Sequence, residues 1–201
     1  MGRRANLQLA TVLALGLVAA NSGCGNTLAH NSPIQQRWGV AATVQMHPDG
    51  YAGACYPVTQ ASLPPPPCSS IPLANVGAWQ LPIDHQLLDG TLATPPLRLV
   101  GTWTGTSLLL ETQPRVVTRI DGRPSIPSGD RTDPPSDDLA NRERMIADKG
   151  ALRQRGIWVI EAGFSSGGSY AVVAVDNGAA TGYLRAHYAV DYVLAWMKAA
   201  T

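Results

Sequence analysis

Residues 157–175 read IWVIEAGFSSGGSYAVVAV. Two runs rich in β-branched residues, Ile157–Ala162 and Tyr170–Val175, flank a Gly/Ser stretch, Gly163–Ser169, so the segment predicts two strands joined by a hairpin loop. Upstream, Asp137–Gln154 is polar but carries Leu139, Met145, Ile146 and Leu152 as a thin apolar stripe at helical spacing. Ser136 or Asp137 caps its start and Gly156 stops it. Downstream, Asn177-Gly178 sets a turn, Ala179–Tyr188 predicts a short helix, and Tyr192–Lys198 a last strand. The order α-β-β-α-β over residues 135–201 predicts an α+β part, two helices covering one face of a small antiparallel sheet.

The preceding stretch differs. Trp38–Met46 alternates Val40, Ala42, Val44 and Met46 with smaller or polar residues, the period of a strand. His47-Pro48-Asp49-Gly50 follows as a turn. Leu97–Leu110 holds two β-type runs around Thr104-Gly105-Thr106 and predicts a hairpin, whereas Ile71–Trp79 reads as loop-rich. With 20 Gly, 16 Pro and only 14% charged residues in the chain, residues 37–120 predict a small, β-rich, barrel-like domain. Residues 121–134, with Asp121-Gly122, several prolines and the acidic run around Asp130 and Asp133, read as a linker and the natural domain boundary.

The N-terminus has a different purpose. Arg3 and Arg4 precede an apolar run, Leu7–Ala20, too short for a membrane span but of the length of a secretory h-region. Ala20, Asn21, Ser22 and Gly23 then lead to Cys24. Residues 1–23 therefore predict a signal peptide. Cys24 is the candidate for diacylation, although Asn21 stands where such sites favour Leu or Val. Residues 24–36 read as a tether. Of three cysteines, lipidation of Cys24 leaves Cys55 and Cys68 as a pair, in an oxidising compartment that favours a disulfide. In the chain-entropy model such a loop adds about 3 kcal/mol, less here because Pro64–Pro67 already stiffen it. The expected location is the outer face of the cell membrane, lipid-anchored, or the exterior as a secreted protein.

Charge narrows the partners. The formal charge is +1, and removal of Arg3 and Arg4 with the signal peptide turns it to −1. A near-neutral chain argues against nucleic acid, whose binders carry a basic excess.

Several features together resemble a group of actinobacterial exported, lipoprotein-like proteins. They are the Pro-rich pair Cys55…PPPPC ending at Cys68, Trp79, and Val100-Gly101-Thr102-Trp103 with Gly105-Thr106. Thr112-Gln113-Pro114 and a βαβ pattern over Tyr170–Lys198 complete the set. The resemblance implies a β-domain and an α+β domain behind a membrane anchor, and it supplies no catalytic residue.

Chemistry has one candidate. Gly163-Phe164-Ser165-Ser166-Gly167 satisfies G-x-S-x-G, with Asp176 and His187 following in hydrolase order. The context is wrong for a nucleophile elbow, because a strand rather than a helix comes next, and a Gly/Ser-rich hairpin loop explains the same residues. The four histidines, His30, His47, His85 and His187, are scattered without metal-ligand spacing. No phosphate loop or dinucleotide fingerprint is present, so no cofactor or metal is expected. Trp38, Trp79 and Trp103 fall in the β-rich stretch. As exposed aromatics they would stack on sugars or clasp a partner chain; as core anchors they would bury the indole. The expected function is a non-catalytic binding or accessory module of the cell envelope, its partner an envelope protein or glycan. The alternatives are a serine hydrolase using Ser165, or a structural envelope protein without a small ligand.

Overall fold

The hairpin over residues 97–110 forms as its pattern predicts, and the rest of the β-domain is built around it. The computed structural model describes residues 36–57, 68–130 and 136–200. The signal peptide, Cys24, nearly all of the tether and the proline run 64–67 lie outside them. Strand β7 (Leu97–Trp103) buries Leu97 and Leu99 on one face and turns Arg98 outward, the alternation of a half-buried strand. It pairs antiparallel with β8 (Leu108–Leu110), Gly101 opposite Leu110. The approach there is so close that a Cβ on Gly101 would sit 2.0 Å from the Leu109 carbonyl oxygen.

The other edge of β7 pairs with β1 (Arg37–Ala42). After a single-residue break at Thr43 the chain resumes as β2 (Val44–Met46), so Trp38–Met46 is one bent strand. Its second half pairs with β3 (Ala52–Cys55), β3 with β4 (Ser70–Ala74), and β4 runs parallel to β8. The ladder thus returns to its start. Counting β1 and β2 as one strand, these five close in the order first, second, third, fifth, fourth, with the third and fifth parallel. This is a Greek-key barrel of the OB type. Strand β4 falls in the stretch expected to be loop-rich; Ile71 and Leu73 point inward although Pro72 interrupts the pattern. Two small strands, β5 (His85–Gln86) and β6 (Leu92–Ala93), extend the sheet from β2, and β9 (Arg115–Val116) adds to β7. Cys55 and Cys68 are disulfide-bonded, as their pairing in the sequence predicts.

The C-terminal part is α+β, as expected, with three corrections. The helix over 137–154 breaks at Asp148 into α1 (Ser136–Ala147) and α2 (Lys149–Gln154). The presumed loop 163–169 is mostly strand: β10 (Val159–Ser165) and β11 (Gly168–Val173) are separated by Ser166-Gly167 alone. Finally, β12 (Tyr192–Ala195) lies parallel to β11, reached through α3 (Ala179–Tyr188), so this sheet is mixed rather than antiparallel. A right-handed βαβ crossover is the ordinary way to make such a pair.

Strand β11 explains how the two parts join. Ala171 and Val173 face the helices with Met145, Leu152, Ala180, Leu184 and Tyr188. Tyr170, Val172 and Ala174 face the other way and share one core with Val40, Val44, Ile71, Leu97 and Leu99 of the barrel. The chain then runs through buried Trp196 and Met197 into β13 (Lys198–Ala199), which pairs with β1. The described part of the expected linker is fastened rather than free. Asp121 exchanges hydrogen bonds with Ala41, Arg123 pairs with Glu161, and Ile126 packs on the shared core. The described residues all fall in one compact unit.

Candidate functional site

The three candidate tryptophans have three different fates. Trp38 is half-buried and packs on the barrel core. Trp103 is also half-buried, edge-on to Trp158 with ring centres 6.4 Å apart, while the Arg153 guanidinium lies 4.1 Å from the Trp158 ring centre. Trp79 is 85% exposed. The structure does not bring the three together.

Trp79 owes its exposure to local geometry. The chain leaves β4 through Asn75, whose φ of 56° reverses its direction. The Asn75 side chain accepts from Leu110 N–H and donates to the Leu110 carbonyl, both at 3.0 Å, continuing the β4–β8 ladder for one more residue. A 3-10 turn (Ala78–Gln80) follows. Gln80 Oε1 accepts the Gly77 N–H at 2.7 Å and closes the turn on itself. That closure lays the indole of Trp79 over Gly77, where a Cβ would come within 2.7 Å of Nε1. The ring is therefore seated on backbone along one edge and open to solvent elsewhere.

Beside it lies a cleft of about 310 Å³ lined by Val76, Trp79, Gln80, Glu111, Gln113 and Pro114, among others. Glu111 is held in place by Arg37 at 3.0 Å and by the Thr102 hydroxyl. Gln113 lines the cleft as an amide donor and acceptor. An aromatic plate, an apolar wall and a fixed carboxylate beside an amide suit a ring that is apolar on one face and hydroxylated at its rim.

Ser165 occupies a different place. Its hydroxyl donates to the Pro127 carbonyl at 2.7 Å and accepts the Gly167 N–H at 3.2 Å, fastening the strap 121–130 to the β10–β11 turn. His187 stacks on Tyr183, ring centres 3.9 Å apart, with Nδ1 against the Tyr183 carbonyl. Asp176 caps α3 through Gly178 N–H and the Thr181 hydroxyl. No hydrogen bond links Ser165, Asp176 and His187 among the described residues. Nor is any group of three His, Cys, Asp or Glu side chains placed to hold a metal ion among them.

One polar cluster carries no sequence signature. Arg123 pairs with Glu161, which also accepts the Tyr170 hydroxyl at 2.9 Å. The Arg123 guanidinium lies 6.0 Å from the Tyr56 ring centre, and burial pushes the Tyr56 hydroxyl up to about 12. These residues come from four separate elements, so only the assembled core could reveal them.

No protein-family model, curated protein or solved structure matches the chain. The barrel connectivity alone assigns no ligand; the Trp79 cleft is the feature that points to one. Gly77, Gln80 and Asn75, which build it, escape a reading of the sequence; the nearest signal is a Gly two residues before a Trp in a segment without strand pattern. No helix among the described residues is long and apolar enough to cross a membrane.

Proposed function

We propose that this chain is a non-catalytic binding module of the cell envelope. It is exported by residues 1–23, anchored through diacylated Cys24, and it presents the Trp79 cleft to an envelope glycan. The observation that carries the reading is a tryptophan 85% exposed yet seated on Gly77 beside a polar cleft. An indole held in this way loses little side-chain entropy on stacking against a sugar, because the turn has already restricted it. Of the other exposed large apolar side chains, Tyr51 has its hydroxyl on Ser70 and its ring against His47, and the rest are aliphatic and offer no stacking face.

The test uses the soluble chain from Gly25 onward, titrated with muropeptides and with cell-wall oligosaccharides while the indole N–H resonances are followed. A shift confined to the Trp79 signal, and loss of binding in Trp79→Ala, is the expected result. Binding that survives Trp79→Ala would remove the cleft from the proposal. Absence of binding to every fragment would remove the glycan. Labelling of Ser165 by a fluorophosphonate probe would instead favour hydrolysis.

A further inference from the structure

The three-stranded sheet β10-β11-β12 has two outer edges, and the protein treats them differently. The β10 edge is closed. Lys149 Nζ donates to the Ile160 carbonyl at 3.3 Å and Arg142 Nε to the Ala162 carbonyl at 3.1 Å, and the pairing is irregular between Val159 and Glu161. Charged side chains and bulges are the usual devices that stop a free edge from recruiting another strand.

At the β12 edge no side chain bonds to the strand backbone among the described residues, and the pairing with β11 is regular. Trp196 N–H is given to the Val173 carbonyl at 2.9 Å. Successive residues of a strand direct their backbone groups to opposite sides, so Leu194 also faces β11, and Val193 and Ala195 turn theirs outward. No hydrogen bond to those outward groups is made among the described residues. A cavity of about 430 Å³ runs along them. Val193, Leu194 and Ala195 all line it, which consecutive residues of a strand do only when the space follows the backbone edge.

The opposite wall is the strap at Asp121–Ser125. It does not pair with β12, and Pro124 has no N–H to give. The cavity is also charged. Lys198, Arg123 and Asp121 line it; Arg123 is paired with Glu161, and Asp121 is held by the Ala41 N–H at 2.7 Å and lies 3.6 Å from Arg98. The space therefore offers unpaired strand backbone beside one cation, Lys198, that makes no ion pair among the described residues.

We propose that the β12 edge is a docking site for an extended, acidic peptide segment of a partner protein, which adds to the sheet as a fourth strand. Backbone hydrogen bonds to Val193 and Ala195 supply the attachment and a carboxylate beside Lys198 the selectivity, the mode of recognition known as strand addition. The site is separate from the Trp79 cleft and does not depend on it.

The test uses the soluble chain from Gly25 onward and the capped heptapeptide DVTVTVD, with KVTVTVK and an N-methylated DVTVTVD as controls. Backbone amide resonances and their exchange rates are the readout. The expected result is a shift and slowed exchange at Val193 and Ala195 with DVTVTVD. Lys198→Glu, an exposed change that leaves the far-ultraviolet spectrum unaltered, should weaken that binding by roughly tenfold and favour KVTVTVK. No response at these amides at millimolar peptide overturns the proposal. So does equal binding of the N-methylated peptide, or binding indifferent to Lys198→Glu.

Discussion

Gly77 and Trp79 act as a pair: one lacks a side chain so that the other can lie flat. Substituting either touches almost no core contact, so Trp79→Ala and Gly77→Ala should each change unfolding stability by no more than about 0.5 kcal/mol. Their effect should appear in the indole itself. Acrylamide should quench a large fraction of the wild-type fluorescence, a fraction that falls in Trp79→Ala because Trp196 is only 2% exposed. Unchanged quenching would mean that Trp79 is not the exposed ring. Tyr56 and Tyr188 allow a second prediction. Burial is the main cause that raises both to about 12, and for Tyr188 the bond to Asp148 at 2.9 Å adds to it. Unfolded tyrosines ionise near 10. Between these values the folded chain holds more protons than the unfolded one. The stabilisation is therefore complete below pH 10 and is lost as pH rises through 12. Absorbance at 295 nm should show a late ionisation step that urea abolishes. At this scale little of the site is legible in the sequence. Trp38, Trp79 and Trp103 are equivalent there, and what separates them is a 3-10 turn closed by the Gln80 amide.

The elements that the sequence reveals are those whose partners are local. The β7–β8 hairpin and α3 stand where their periodicity puts them, since a short turn or a helical ladder is set within a few residues. Strand β4 is hidden because Pro72 breaks its alternation and its partners lie at 53–55 and 108–109. The parallel run of β12 is hidden for the same reason, as a strand's direction belongs to its neighbour. The β10–β11 turn shows how one motif serves a structural end. Ser165 carries the hydroxyl that a hydrolase would need and gives it to the Pro127 carbonyl. Ser165→Ala should therefore cost about 1–3 kcal/mol through an unsatisfied part-buried carbonyl. The matching measurement is hydrogen exchange, which should accelerate at Gly129, whose N–H goes to Ser166 Oγ in the same turn. A stability unchanged by Ser165→Ala would show that the turn does not hold the strap.

For the molecule as a whole, the decisive fact is that β11 is buried on both faces. One face completes the helical layer through Ala171 and Val173, and the other completes the barrel core through Tyr170, Val172 and Ala174. Composition alone suggests a boundary at residues 121–134, because prolines and charges gather there. The described ones, 121–130, are polar for another reason: they lie as a strap whose Asp121 and Arg123 are paired to β1 and to Glu161. The barrel core draws on both parts, whereas the helical core lies within residues 145–193 and shares β11 with it. Residues 36–130 alone would expose the inward faces of Val40, Ile71 and Leu99 where β11, Trp196 and Met197 now cover them, and β1 would lose β13 as its edge partner. Urea unfolding should accordingly show a single transition. Val40→Ala in the barrel and Leu184→Ala in α3, both fully buried, should move that one midpoint together, the leucine change by about 2–5 kcal/mol. Tryptophan fluorescence and helical circular dichroism should report the same curve, as all-or-none unfolding requires. Two separated transitions, each moved by only one of the substitutions, would mean that the shared face of β11 does not couple the halves. A folded, soluble fragment 36–130 would lead to the same conclusion by a second route.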